Sequence, residues 1–134
     1  MTISPISHVR EVVLTTLQTT PAVTALVPRL YPSKTPNNPV KPFGRYTGAD
    51  TSTPSRPSGW SGGDVDASYH VFVGVTAEIP DPKGYCEQAT AVIADAIDAL
   101  PDCYVERTVM IEDDEESDVW HGVVQFRYSA LAEL

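Results

Sequence analysis

The chain has 134 residues, 42% apolar and 20% charged, enough for one domain with a single core and too apolar for wholesale disorder. Eighteen carboxylates face nine Lys and Arg, a net charge of −9, and without an aromatic-interleaved basic patch this balance argues against a protein that grips nucleic acid. No run nears the roughly 20 apolar residues that span a bilayer and none has the layout of a secretion signal, so a soluble protein made in a cytoplasm, with no membrane partner, is expected.

The charge is divided unevenly. Residues 1–63 carry six basic and two acidic side chains, and residues 64–134 carry three and sixteen. Such asymmetry speaks to partners rather than to fold.

In chain order, Ser4 or Ser7 with Pro5 gives a cap and a first-turn proline. Ile6, Val9, Val13 and Leu17 follow at helical spacing, an apolar stripe that predicts an amphipathic helix. Thr20-Pro21 repeats the signal for a short helical turn over 22–27, stopped at Pro28. Then comes LVPRLYPSKTPNNPVKPFGRYT, residues 26–47, with five prolines from Pro28 to Pro42, four basic residues and no acidic one. The aromatic end of this stretch, 43–47, reads as a short strand. Residues 49–63, ADTSTPSRPSGWSGG, read as a long loop, and loops of this length inside a domain usually carry function.

The clearest signal is VDASYHVFVGVTAEI. From Val65 to Ile79 every odd position is Val, Ala, Tyr or Ile, which predicts one long strand over 65–79 with one face on a core and a bend at Gly74. Asp81-Pro82 caps a second helix whose stripe is Tyr85, Ala89, Val92, Ile93, Ala96, Ile97 and Leu100, ended by Pro101. Residues 103–112 and 118–131 read as two more strands around the acidic tip EDDEES. The expected fold is α+β: a two-layer sandwich of a mostly antiparallel four-stranded sheet with two main helices packed on one face, all in a single domain, 1–134.

Chemistry-bearing constellations do not emerge. There is no nucleophile elbow and no phosphate loop, since Gly59, Gly62 and Gly63 precede no Lys-Ser or Lys-Thr. Cys86 and Cys103 lack metal-site spacing and in a reducing compartment act as small buried hydrophobes. His8, His70 and His121 form no ligand pair in sequence, although His70 and His121 fall on the wetter faces of two strands that adjacency would bring together; partly exposed sheet histidines are the commoner outcome. No catalytic, metal or cofactor-binding residue is expected, and no enzyme.

Two charged segments admit more than one reading. Glu112, Asp113, Asp114, Glu115, Glu116 and Asp118 lack the glycine and ligand spacing of a calcium loop; they make a solvated hairpin tip, a like-charged rim that repels a polyanion such as DNA or lets it slide past, or a cation-binding cluster. The proline-rich segment, 28–42, is a stiff surface loop or an interface arm. As an arm it loses little entropy on docking because proline fixes φ. Tyr31 and Phe43 would anchor it, and Arg29, Lys34, Lys41 and Arg45 would meet carboxylates on the acidic half of an identical neighbour. Opposite charge on two parts of one chain suits head-to-tail association, which closes into rings if the rotation permits. Arg56 and Trp60, the large side chains of 49–63, are candidates for contact with a different partner.

The succession "LVPRLYP", the proline run into an aromatic strand, "SYHVFVGV", "ATAVIADAIDAL" and the closing "HGVVQFRYSA" resembles, over nearly the whole chain, the tail terminator (tail-completion) proteins of long-tailed bacteriophages and phage-like particles. The resemblance implies an α+β subunit that assembles into a hexameric ring in the host cytoplasm and becomes part of the virion at the head-proximal end of the tail. It implies tail-tube protein and a head-tail connector or neck protein as partners, passage of DNA through the hole without specific binding, and no catalysis or cofactor. A related neck or head-completion protein, or a small ligand-binding α+β domain using the faces of Phe72, His70 and His121, are the alternatives.

Overall fold

A computed structural model of the chain describes residues 5–46, 51–54, 60–113 and 118–133, with side chains described over 6–46, 64–113 and 118–129. The first helix, α1 (Pro5–Gln18), places Val9, Val13 and Leu17 at zero exposure, as its stripe requires. The single turn α2 (Pro21–Thr24) buries Val23. In α3 (Pro82–Asp98) the Asp81 side chain accepts the Gly84 N–H at 3.2 Å and proline occupies the first turn, satisfying a donor the helix leaves free. This helix buries Cys86, Ala89, Thr90, Ile93 and Ile97. Thr90 donates to the Cys86 carbonyl at 2.7 Å and sits against Gly122, where a Cβ would run into its Oγ1; only glycine lets α3 lie this close to the sheet.

The strands are β1 (Arg29–Tyr31), β2 (Phe43–Tyr46), β3 (Thr51–Pro54), β4 (Trp60–Val73), β5 (Cys103–Glu112) and β6 (Trp120–Glu133). Five run in the order β1-β2-β4-β6-β5, and β3 also pairs with β4. Among the described strands, β1 and β2 pair in parallel and the other pairs are antiparallel. The spine is the β4–β6 pair, in unbroken register from Trp60 opposite Glu133 to Val73 opposite Trp120. Odd residues of β4 (Val65, Ala67, Tyr69, Val71 and Val73) face the helices and are buried with Val124 and Phe126 of β6. Edge-to-face contacts of Tyr46 with Tyr69 and with Phe126 fill the centre, a favourable arrangement for aromatic rings.

The α+β class and the two main helices on one sheet face are as the sequence predicts; the strand inventory differs in three ways. The sheet is wider than four strands. The stretch 49–63 is not one loop: Thr51–Pro54 forms β3 and β4 starts at Trp60, because both pair with long partners whose ladder bonds outweigh the Gly, Ser and Pro content. The alternating strand ends at Val73 instead of residue 79. Past Gly74, Val75 turns 54% exposed, and Ile79 is buried through a turn in which Thr76 and Ile79 exchange backbone hydrogen bonds at 3.1 and 3.2 Å. The parallel strand β1, between Pro28 and Pro32, has no period-two signal to announce it.

Candidate interaction surface

The sheet face away from the helices is assembled from the even positions of β4 and the residues in register with them. Across it runs a row of rings. Phe43 of β2 stacks on Phe72 of β4 (centroids 4.9 Å apart), and Phe72 stacks on His121 of β6 (4.3 Å). Tyr31 leans on Phe43 from β1, and Ile111 of β5, 45% exposed, lies opposite His121. Beside this row, Ser68, His70, Val109, Val123, Arg107 and Gln125 line, with Ile111 and His121, a groove of about 360 Å³.

His70 and His121 sit diagonally across the β4–β6 ladder, with His70 Nδ1 2.5 Å from His121 Nε2. His70 Nε2 also meets Ser68 Oγ at 3.0 Å. Burial, the neighbouring His121 and the Arg45 guanidinium together push the His70 pKa down to about 4. Burial lowers His121 as well, with Asp113 pulling upward and Arg45 downward. At neutral pH the rings are uncharged and share one proton between facing nitrogens. Two imidazoles supply half of a tetrahedral metal site, and among the described residues no cluster of three or more His, Cys, Asp or Glu completes one.

Further along the same face Arg127 holds Asp66 through two hydrogen bonds of 2.8 and 3.2 Å. That contact keeps the Asp66 carboxyl below its usual range against the opposing effect of burial. Arg107 Nε donates to Gln125 Oε1, and Ser129 Oγ donates to Asp64 at 2.8 Å. The face is thus mixed: apolar and aromatic at the end near Phe43 and Ile111, polar and paired near Asp66.

Phe43 is only 6% exposed and stacks on Phe72, and the Tyr31 ring leans on Phe43, so both rings read as anchors of the proline-rich segment make contacts within the chain. Arg29 and Arg45 are half-buried on β1 and β2, Lys41 is half-buried and Lys34 exposed. Lys41 borders a second groove, of about 420 Å³, together with Val40, Gly74, Val75, Thr76, Asp118 and Val119. Glu112 ends β5 exposed, the Asp113 N–H donates to the Val119 carbonyl at 2.9 Å, and Asp118 has a φ of 61°, a hairpin geometry. Trp60 opens β4. Arg56, Asp114, Glu115, Glu116 and the Trp60 side chain lie outside the described residues and side chains. Val109 and Ile111, which border the groove from β5, were not singled out in the sequence; their alternation in VMI just before the acidic tip is the signal that marks an outward apolar face.

No family model matches the sequence, and no curated protein matches it. Among solved structures, a chain described as "Virion of native gene transfer agent (GTA) particle" has a similar fold: 16% sequence identity and a TM-score of 0.73, covering 92% of this chain and 94% of that one. At this identity the likeness is one of fold. No helix among the described residues is long and apolar enough to cross a membrane.

Proposed function

We propose that the chain is a structural subunit of a phage-like virion: a tail terminator that closes into a ring at the head-proximal end of the tail tube, ends tube growth and presents the docking surface for the head connector. The observation that carries this reading is the fold shared, nearly end to end, with a chain of a gene transfer agent virion. A protein of this kind works through its surfaces; the Ser68–His70–His121 chain of hydrogen bonds in the groove on the open sheet face belongs to the second reading below. In this reading the chain is not an enzyme and has no cofactor. The subunit contact is made by Arg29, Lys34, Lys41 and Arg45 with the carboxylates of the neighbour. The acidic hairpin from Glu112 to Asp118 lines the channel, where like charge keeps DNA from binding.

The test is addition of purified chain to polymerised tail-tube protein. A terminator binds at tube ends and stops elongation, in a species of six times the 14.5 kDa chain mass. Failure to bind tube ends while joining a head or neck particle would move the protein to the related head-completion role. A ligand-binding domain is the second reading, favoured by the His70–His121 pair in its groove; it requires a metal or small molecule whose binding is lost in His70→Ala and His121→Ala.

A further inference from the structure

We infer that the open edge of β5, from Arg107 to Glu112, receives the segment Pro32–Asn37 of a neighbouring copy as an added strand, and that this pairing joins copies head to tail. The inference rests on the ring reading above for its closure and on the following observations for the contact.

Among the described strands the sheet's edges are β1, β5 and the four-residue β3, which pairs only with β4 and ends on Pro54. β1 is three residues long and bracketed by Pro28 and Pro32, which blunt it against pairing. β5 is ten residues long. At its start Asp98 Oδ1 takes the Val105 N–H at 2.9 Å, and a bulge follows between Val105 and Arg107, so this half is guarded. From Arg107 onward, no hydrogen bond is seen among the described residues on the side facing away from β6. Arg107, Thr108, Ile111 and Glu112 are exposed there. A β-branched edge left open is a template for another strand.

The same chain carries a segment with the complementary lack. Pro32–Asn37 belongs to no helix or strand, is exposed apart from the half-buried Thr35, and makes no backbone hydrogen bond among the described residues. Its prolines, Pro32 and Pro36, share one parity. In an extended strand they point to one side, leaving Ser33, Thr35 and Asn37 with N–H and C=O groups on the other. The segment can therefore pair along one edge only and cannot nucleate a further strand. Asn38, with φ of 51°, ends the run. Lys34 is its only charge, and the carboxylates Glu106 and Glu112 flank the open edge, so the edge is not closed to a segment carrying one cation. The segment springs from β1, about 19 Å (four strand spacings) from β5 of its own sheet. The occupant is then a neighbour's segment, and the contact is heterologous.

Two measurements on the full chain test this. Thr35→Pro removes a donor on the pairing side, while Pro36→Ala leaves that side intact; sedimentation should show the concentration for half-assembly raised roughly tenfold in the first and unchanged in the second. In Thr35→Cys/Thr108→Cys a short thiol cross-linker should give a ladder of covalent multimers, with no ladder in either single variant. A parent chain that stays monomeric, a Thr35→Pro variant that assembles like the parent, or absence of the ladder overturns the inference. Cross-linked copies that ignore tube ends would sink the terminator reading and leave this contact standing; tube-end binding without any copy-to-copy cross-link would do the reverse.

Discussion

His70 and His121 illustrate how a face turned to solvent still tunes its side chains. Each ring is flanked by Phe72, and each has the Arg45 guanidinium near it, so protonation is opposed by lost hydration and by like charge. The sign for stability follows from the direction. His70 protonates near its ordinary 6.5 in the unfolded chain and at about 4 in the folded one. Above 6.5 both states are neutral and the pair adds no pH dependence. Between 6.5 and 4 the unfolded chain gains a proton that the folded chain refuses, and stability falls. With the half-exposed site discounted for solvent screening, the loss on going from pH 7 to pH 4 is about 1.5 kcal/mol. Urea midpoints measured over this range should slope downward in the parent and flatten in His70→Gln/His121→Gln; equal slopes would mean that the carboxylates, not the imidazoles, set the acid limit.

At the scale of elements, β5 is guarded at one end by a single side chain. Replacing Asp98 by Ala frees the Val105 N–H and lengthens the open edge toward Tyr104, which is 50% exposed. The cost in stability is about 1 kcal/mol or less, one exposed hydrogen bond, but strand-to-strand association rises. Heat-induced turbidity of Asp98→Ala should therefore appear sooner than its small change in Tm accounts for; turbidity that merely tracks Tm would show that the edge is not the route. The elements themselves are unequally legible in the sequence. The stripes of α1 and α3 and the odd positions of β4 from Val65 to Val73 are plain, because one buried face imposes one period. Trp60 to Gly63 read as loop because Gly and Ser carry no such period, and they are strand only because the end of β6 lies opposite. β1 is too short for any period, and its parallel pairing with β2 is a tertiary fact. The parity of His70 and His121 was readable, but their contact depends on a register that places Phe72 opposite His121. The open edge of β5 depends on strand order, which no local pattern encodes.

For the molecule as a whole, topology decides where the divided charge goes. The basic first half supplies β1, β2 and the segment between them at one side of the sheet, while Glu106, Glu112 and Asp113 sit on or just past the strand at the other. Two copies meeting edge to edge then experience opposing effects with different ranges. The net charge of −9 on each repels over long distances, and Lys34 against a carboxylate attracts only at contact. Salt separates the two, since the Debye length is about 30 Å at 0.01 M, about 10 Å at 0.1 M and about 3 Å at 1 M. Raising salt from 0.01 to 0.1 M removes mainly the long-range repulsion, so self-association should strengthen. Raising it further to 1 M weakens the contact pairs, and association should fall back by several-fold. The half-assembly concentration, measured by sedimentation across this series, is expected to pass through a minimum near 0.1 M. Association that keeps strengthening to 1 M would instead assign the contact to the apolar strip of Phe72, Val109 and Ile111, because burial of apolar surface is favoured by salt whereas a contact between opposite charges is not.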